Sequence, residues 1–200
     1  MIIKLDNITK TFDHIENVVD GISNTLEPGT ATAIKGRNGS GKSTLLKIIA
    51  GLSEPTSGNV SYSVDDDETK LERFCYIAPY YNLYEDYTPN EIFDLVCKLR
   101  NEKLDKSEFD KYLSKFDLNH KVDIPIKNFS SGMKQRVKII INLIGAQQAY
   151  FLDEPSSNLD KFGIETLSKE IENLKNNGKL VVIATNEQHE IDWCNNYIEL

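Results

Sequence analysis

The sequence lacks a long hydrophobic run. Its longest apolar stretch, residues 139–146, is far too short to span a bilayer, and residues 1–10 (MIIKLDNITK) lack the apolar core of a signal peptide. Cysteine is also scarce, and Cys75, Cys97 and Cys194 are too far apart for a metal-binding spacing. These absences predict an intracellular chain with reduced thiols, whose role at a membrane, if it has one, depends on a partner protein.

Positive charge is in short supply as well. The 200 residues contain 23 Lys and Arg against 31 Asp and Glu, which gives a formal net charge of −8. A protein that binds nucleic acid through bulk charge needs the opposite balance, so no nucleic-acid partner is expected. The length and the hydrophobic fraction of 40% favour one globular domain with a packed core and room for an inserted lobe.

Short apolar segments alternate with helical patterns at both ends of the chain, and a helical block separates them. Continuous apolar strands interleaved with helices are typical of an α/β fold, a mostly parallel sheet with flanking helices. The segments predicted as its buried strands are ATAIKG (31–36), AYFLDE (149–154) and KLVVIAT (179–185), and the helices of the central block are predicted near 89–100, 107–116 and 132–144.

Each of these three strands ends in residues that could bind a ligand or take part in a reaction, namely Gly36, Asp153 and the pair Thr185-Asn186. Ligands of open parallel sheets bind beyond the carboxyl ends of the strands. We therefore expect the functional site at that edge of the sheet.

A phosphate-binding loop is predicted in GRNGSGKST, which fits the pattern G-x-x-x-x-G-K-[ST]. Glycines let successive backbone N–H groups surround phosphate oxygens, and the helix that follows directs its positive end at the same anion. In this pattern Lys42 reaches the terminal phosphates and the Ser43 hydroxyl binds Mg²⁺. The predicted nucleotide-binding residues of the loop are Gly36, Arg37, Asn38, Gly39, Ser40, Gly41, Lys42, Ser43 and Thr44.

A pair of carboxylates supplies the second requirement of such a site. Asp153 ends a buried strand and Glu154 follows it. Asp153 can hold Mg²⁺ through its waters, while Glu154 can orient and deprotonate an attacking water molecule. An acidic pair at the start of a helix is the alternative explanation, and it does not account for the phosphate loop elsewhere in the chain.

Two further motifs complete the pattern. FSSGMKQR (129–136) lies between the phosphate loop and the carboxylates, and EPSSNLD (154–160) follows them. With the phosphate loop they resemble, in order and over nearly the whole chain, the signature and D-loop of the ATP-binding-cassette (ABC) ATPases. The resemblance implies a P-loop NTPase core with a small antiparallel β-subdomain and an inserted α-helical subdomain. We expect residues 1–79 and 145–200 to form the core and residues 80–144 to form the helical subdomain with the signature.

The resemblance also implies roles for three residues outside the phosphate loop. Phe12 stands where the family has an aromatic residue that stacks on adenine, although a packed strand residue is the alternative. Ser130 and Gly132 retain a hydroxyl and a backbone N–H at the start of a helix, which suits the γ-phosphate of a nucleotide held by a second subunit.

Two positions depart from the family pattern. Tyr80 stands in place of a glutamine, and a phenol is a poorer neutral metal ligand than a carboxamide, although Asn82 lies nearby in the sequence. Asn186 stands in place of a histidine that faces the γ-phosphate. A carboxamide can donate the same hydrogen bond but cannot carry a proton, and Glu154 is retained, so we expect a working ATPase.

The implied function is that of the ATP-binding and ATP-hydrolysing subunit of an ABC transporter, with ATP and Mg²⁺ as cofactors. It would dimerise with itself or with a second ABC subunit and would lie on the cytoplasmic face of the membrane through a membrane-embedded subunit. In the family that subunit adjoins the region of the tyrosine-rich segment at residues 79–89, whose alternative is packing inside the helical lobe.

Two other functions stay open at this point. The chain could be an ABC ATPase that does not transport, or a nucleotide-sensing scaffold with little turnover. Within the transporters, the short chain and the segment SSGMKQR resemble the haem-exporter-like subunits of cytochrome c maturation.

Overall fold

The computed structural model describes residues 1–12, 17–64, 67–68, 74–80, 82–101, 103–145 and 147–200. The strands in these ranges are β1 (Ile2–Thr11), β2 (Asn17–Leu26), β3 (Ala31–Lys35), β4 (Ser57–Val64), β5 (Asp67–Glu68), β6 (Phe74–Ile77), β7 (Ala149–Asp153), β8 (Leu180–Thr185) and β9 (Asn196–Glu199). The helices are α1 (Lys42–Ile49), α2 (Pro89–Arg100), α3 (Lys106–Lys115), α4 (Ser131–Leu143), α5 (Lys161–Asn176) and α6 (Gln188–Ile191). Short 3₁₀ helices span Asn119–Lys121 and Ile126–Asn128.

A five-stranded sheet in the order β6-β7-β8-β3-β9 carries the edge at which the site was expected. Strand β8 pairs in parallel with β7 on one side and β3 on the other, and β9 pairs in parallel with β3. Every residue of β7 and β8 is buried, which agrees with their continuous apolar sequences. The predicted mostly parallel sheet is confirmed.

A smaller antiparallel sheet is built from the first part of the chain, in the order β2-β1-β4-β5. Its strand β1 buries alternate residues, among them Ile3 and Leu5, as a strand with one covered face should. These residues join one hydrophobic core with Leu45 of α1 and with Phe151 and Val182 of the parallel sheet. Helix α1 therefore packs against residues of both sheets.

The described residues form two compact units. The first contains residues 1–76, 147–154 and 170–200, and the second contains residues 77–146 and 155–169. The second unit includes residues 155–169, which the sequence-based division assigned to the core. Gln135 and Arg136 of α4 bind this segment by hydrogen bonds to Pro155 and Asp160.

The second unit is helical, and helices α2, α3 and α4 lie within a few residues of their predicted limits. Helix α2 begins with a capping box, in which the Thr88 hydroxyl accepts from the Glu91 N–H at 3.2 Å and the Glu91 carboxylate accepts from the Thr88 N–H at 2.8 Å. The core of this second unit contains Phe93 of α2 stacked on Phe109 of α3, with ring centroids 4.7 Å apart. No helix in the described ranges is long and apolar enough to cross a bilayer.

Candidate functional site

Strand register brings three of the predicted site positions to neighbouring strand ends. Lys35 of β3 is opposite Thr185 of β8, and Asp153 of β7 is opposite Ala184 of β8. The next residues along these strands are Gly36, Asn186 and Glu154. The Glu154 N–H donates to the Ala184 carbonyl at 2.9 Å, which ties the residue after β7 to β8.

The phosphate loop owes its path to two glycines. Gly39 and Gly41 have φ angles of 84° and 97°, in the region that side chains disfavour. A Cβ atom on Gly41 would overlap the carbonyl oxygen of Val18, so this position also requires the missing side chain for space. Helix α1 begins at the next residue, with its first backbone N–H groups directed at the loop.

Lys42 is 6% exposed, and its ammonium group is held inside the loop that it would serve. The Nζ atom donates to the carbonyls of Gly36 at 3.0 Å and Arg37 at 2.9 Å. An ammonium group has three donors, so these bonds leave one free for a phosphate oxygen.

Asp153 lies in contact with the loop through Ser43, whose hydroxyl donates to the Asp153 carboxylate. Burial raises the pKa of Asp153 above its ordinary value, and the neighbouring charge of Glu154 acts in the same direction. The Ser43 bond and the nearby Lys47 and Lys42 act in the opposite direction. The site therefore presents a partly desolvated carboxylate that a cation would stabilise.

A cleft of about 310 Å³ joins the loop to Glu154. Its lining residues are Val18, Asn38, Gly39, Gly41, Lys42, Ser43, Thr44 and Glu154. Glu154 itself has a φ of 45°, a left-handed backbone conformation that is uncommon for a residue with a side chain. The arrangement can bind an anion at the loop and present a carboxylate base to it.

Asn186 is exposed and lines a different cleft, of about 480 Å³, together with Gly36, Arg37 and Asn38. Asn38 lines both clefts, so Asn186 faces the beginning of the phosphate loop rather than the wall shared by Lys42 and Glu154. The preceding residue, Thr185, is fully buried, and its hydroxyl accepts from the Glu187 N–H at 2.9 Å, which fixes the turn.

Phe12 is exposed over 67% of its surface, so it is not a packed strand residue. The Nζ atom of Lys10 lies 5.4 Å from its ring centroid, within reach of a cation–π contact. The same ammonium donates to the Glu54 carbonyl at 2.7 Å, which anchors it to the backbone. The aromatic ring at the end of β1 is thus available to a flat ligand.

The signature residues belong to the second unit. The Ser130 side chain is exposed and caps α4, accepting from the Met133 N–H at 3.2 Å. A Cβ atom on Gly132 would lie 2.7 Å from the Asn158 carbonyl oxygen, so the glycine permits close approach of the loop that follows the carboxylates.

One departure from the family pattern, Tyr80, also lies in this unit, whereas Asn186 lies in the first. Tyr80 is 57% exposed, and Asn82 lines two clefts beside Lys138 of α4. Tyr81 lies outside the described residues.

Sequence reasoning missed two residues that contact the segment after Glu154. The Gln135 amide donates to the Pro155 carbonyl at 2.9 Å, and the Arg136 guanidinium donates to the Asp160 carboxylate at 2.6 Å. The sequence shows Arg136 at the end of one motif and Asp160 at the end of the next, but it does not indicate that the two side chains meet in the fold.

Comparison with known proteins gives one consistent result. A family model described as "ABC transporter" matches residues 19–157. The lantibiotic transport ATP-binding protein SrtF of Streptococcus pyogenes is 29% identical over 197 residues, covering 98% of this chain and 85% of the relative. The ABC-type transporter ATP-binding protein EcsA of Bacillus subtilis is 30% identical over 191 residues, covering 92% and 77%. A solved structure of an ATP binding subunit of an ABC transporter superposes with a TM-score of 0.85 at 26% identity, covering 100% of this chain and 86% of that one.

Proposed function

The chain belongs to the ABC transporter family and is an ATP-hydrolysing subunit of such a transporter, and we propose that hydrolysis takes place in the cleft between the phosphate loop and Glu154. The observation that carries the proposal is the cleft itself, because one cavity of about 310 Å³ is lined by both Lys42 and Glu154. The loop N–H groups and the remaining donor of Lys42 would hold the β- and γ-phosphates.

The donors present suit Mg²⁺. The Ser43 hydroxyl and the Asp153 carboxylate are hard oxygen ligands already in contact, and Mg²⁺ in nucleotide sites is commonly held by one or two protein oxygens together with substrate phosphates. When bound, Mg²⁺ would supply positive charge to the phosphate oxygens. Burial of Asp153 supports this assignment, since its carboxylate is desolvated for a cation to compensate.

Glu154 is proposed as the general base. Its backbone is fixed by the bond to the Ala184 carbonyl, and its side chain lines the phosphate cleft. Asn186 is proposed to donate a hydrogen bond to the γ-phosphate from the neighbouring cleft, which shares Asn38 with the phosphate cleft, and Phe12 is proposed to stack on the adenine ring. The exposure of both side chains supports these roles.

Replacing Glu154 with glutamine tests the proposal directly. Glutamine keeps the shape of the side chain and removes the base, so the purified variant should bind ATP with parental affinity and release no phosphate. The affinity is measured by nucleotide titration and the turnover by phosphate release. Hydrolysis at the parental rate would exclude Glu154 as the base.

The exposed signature supports dimerisation on two nucleotides, with itself or with a second ABC subunit. Ser130 and Gly132 at the start of α4 would complete the partner's site, since a helix N-terminus favours an anion. Glu154→Gln with Mg-ATP should elute as a dimer in size-exclusion chromatography. A variant that stays monomeric, when the parent dimerises, would argue against this arrangement.

A membrane-embedded subunit is the proposed second partner, which would hold the chain at the cytoplasmic face of the membrane. Tyr80, Tyr84 and Tyr87 are exposed by 57%, 66% and 41%, which supports an interface in this segment rather than packing within the helical unit. The relatives named above carry transporter names, which favours transport over a non-transport ATPase or a sensing scaffold. The haem-exporter-like subfamily stays a prediction. Co-purification with a multi-span membrane protein would test the partner.

A further inference from the structure

One face of helix α4 holds the segment that begins immediately after Glu154. Gly132, Gln135 and Arg136 are three and four residues apart, so they lie on the same side of the helix. Gly132 approaches the backbone of Asn158, while Gln135 binds the Pro155 carbonyl. Arg136 completes the set through its bond to Asp160.

In the Arg136–Asp160 contact, each of the two side chains also makes a second hydrogen bond. One guanidinium nitrogen donates to Asp160 at 2.6 Å, and the other donates to the Phe116 carbonyl at 2.9 Å. Asp160 also accepts from the Gly163 N–H at 2.9 Å, and this bond, followed by the one from Arg136, lowers the pKa of the carboxyl. The Arg136 side chain is only 12% exposed and lies over the Phe162 ring at 5.3 Å. The Arg136 guanidinium and the Gly163 N–H therefore hold the Asp160 carboxylate, at the end of residues 155–160, from two sides.

We propose that Arg136 is a positioning residue for hydrolysis, acting through Asp160 on residues 155–160, which follow Glu154 directly in the chain. Gln135 holds the Pro155 carbonyl, in the residue directly after Glu154, and Arg136 holds the other end of the segment. The inference rests on the proposed role of Glu154. Its physical basis is that a base displaced by about 1 Å can lose about 100-fold in rate, although the displaced group still has the right chemistry.

Asp160→Asn is the cleanest test of this coupling. Asparagine keeps a carbonyl oxygen for the Gly163 N–H and loses the charge that Arg136 recognises. We expect kcat of the purified full chain to fall by about tenfold or more, with the KM for ATP within a factor of about two of the parent and the chain still folded at the assay temperature.

Asp110→Asn is the matched control. Asp110 of α3 forms an ion pair with Lys106 at 2.8 Å and is 58% exposed, against 63% for Asp160. It lies in the same unit, away from residues 155–160, and its variant should retain parental kcat. A parental kcat for Asp160→Asn, or an equal loss in both variants, would overturn the proposal.

Arg136 variants provide an independent arm if Asp160→Asn folds poorly. Arg136→Lys keeps a cation for Asp160 but cannot bind Phe116 and Asp160 as a fork, whereas Arg136→Gln removes the charge. The proposal requires Arg136→Lys to retain more kcat than Arg136→Gln, and equal activity in the two would contradict it. Glu154→Gln distinguishes a failure of Glu154 as the base from a failure of Arg136 as a positioning residue. Its full activity would remove the proposed base, whereas an inactive Glu154→Gln beside a fully active Asp160→Asn would remove only the positioning role.

Discussion

Replacing Gly41 with alanine should damage the phosphate loop more than the same change at another glycine of similar backbone geometry. Gly41 has a φ of 97°, and a Cβ atom there would overlap the Val18 carbonyl oxygen. The left-handed backbone costs alanine about 1–2 kcal/mol. Forcing a methyl group against packed atoms adds about 1–3 kcal/mol, so the free energy of unfolding should fall by about 2–5 kcal/mol.

Gly178→Ala separates the two contributions. Gly178 follows helix α5 with a φ of 70°, has no atom within 4 Å of an added Cβ, and lies outside both clefts. This variant carries the backbone cost without the overlap, so it should lose only about 1–2 kcal/mol, or about 2–8 °C in Tm for a domain of this size.

Thermal unfolding of both variants and titration with ATP form the assay. Gly41→Ala should also bind ATP at least about tenfold more weakly, because the loop must shift to relieve the overlap, while Gly178→Ala should bind with parental affinity. Equal losses of stability, together with parental ATP affinity in Gly41→Ala, would refute the reasoning from the Val18 contact.

Two further substitutions examine single side chains of the site. Asn186→Ala should lower kcat by about 10²–10³-fold, and by more than it weakens ATP binding, if the carboxamide donates where charge develops in the transition state. Steady-state kinetics at parental rate would mean that this contact is not used. Asp153→Asn should abolish Mg²⁺-dependent hydrolysis and yet raise Tm at pH 7, because burial raises the pKa of Asp153 and so penalises its ionised form in the folded state. The gain in Tm should shrink as the pH falls through the raised pKa toward 3.8, because the parental carboxyl then becomes neutral, and a lower Tm at pH 7 would contradict the argument.

The phosphate loop and the buried strands were predictable from sequence because their causes are local. The glycines at 39 and 41 adopt the positive φ angles that the motif requires, and β7 and β8 are buried along their whole lengths. Register then follows from parallel pairing, which is why Gly36, Asp153 and Asn186 were expected at one edge of the sheet.

The remaining features depend on contacts between distant segments. Nothing in the sequence near Lys42 indicates that its ammonium is already held by two carbonyls of its own loop. The pairing of Arg136 with Asp160 joins residues 24 positions apart, and both belong to motifs with other expected roles. The different cleft of Asn186 likewise depends on the position of Arg37 and Asn38, which a motif comparison does not measure.

The backbone of Glu154 bears on how this site could be lost over evolutionary time. At a φ of 45°, glycine is accommodated without the roughly 1–2 kcal/mol that a larger residue costs. A single substitution to glycine would therefore relieve this backbone cost and remove the proposed base in the same step.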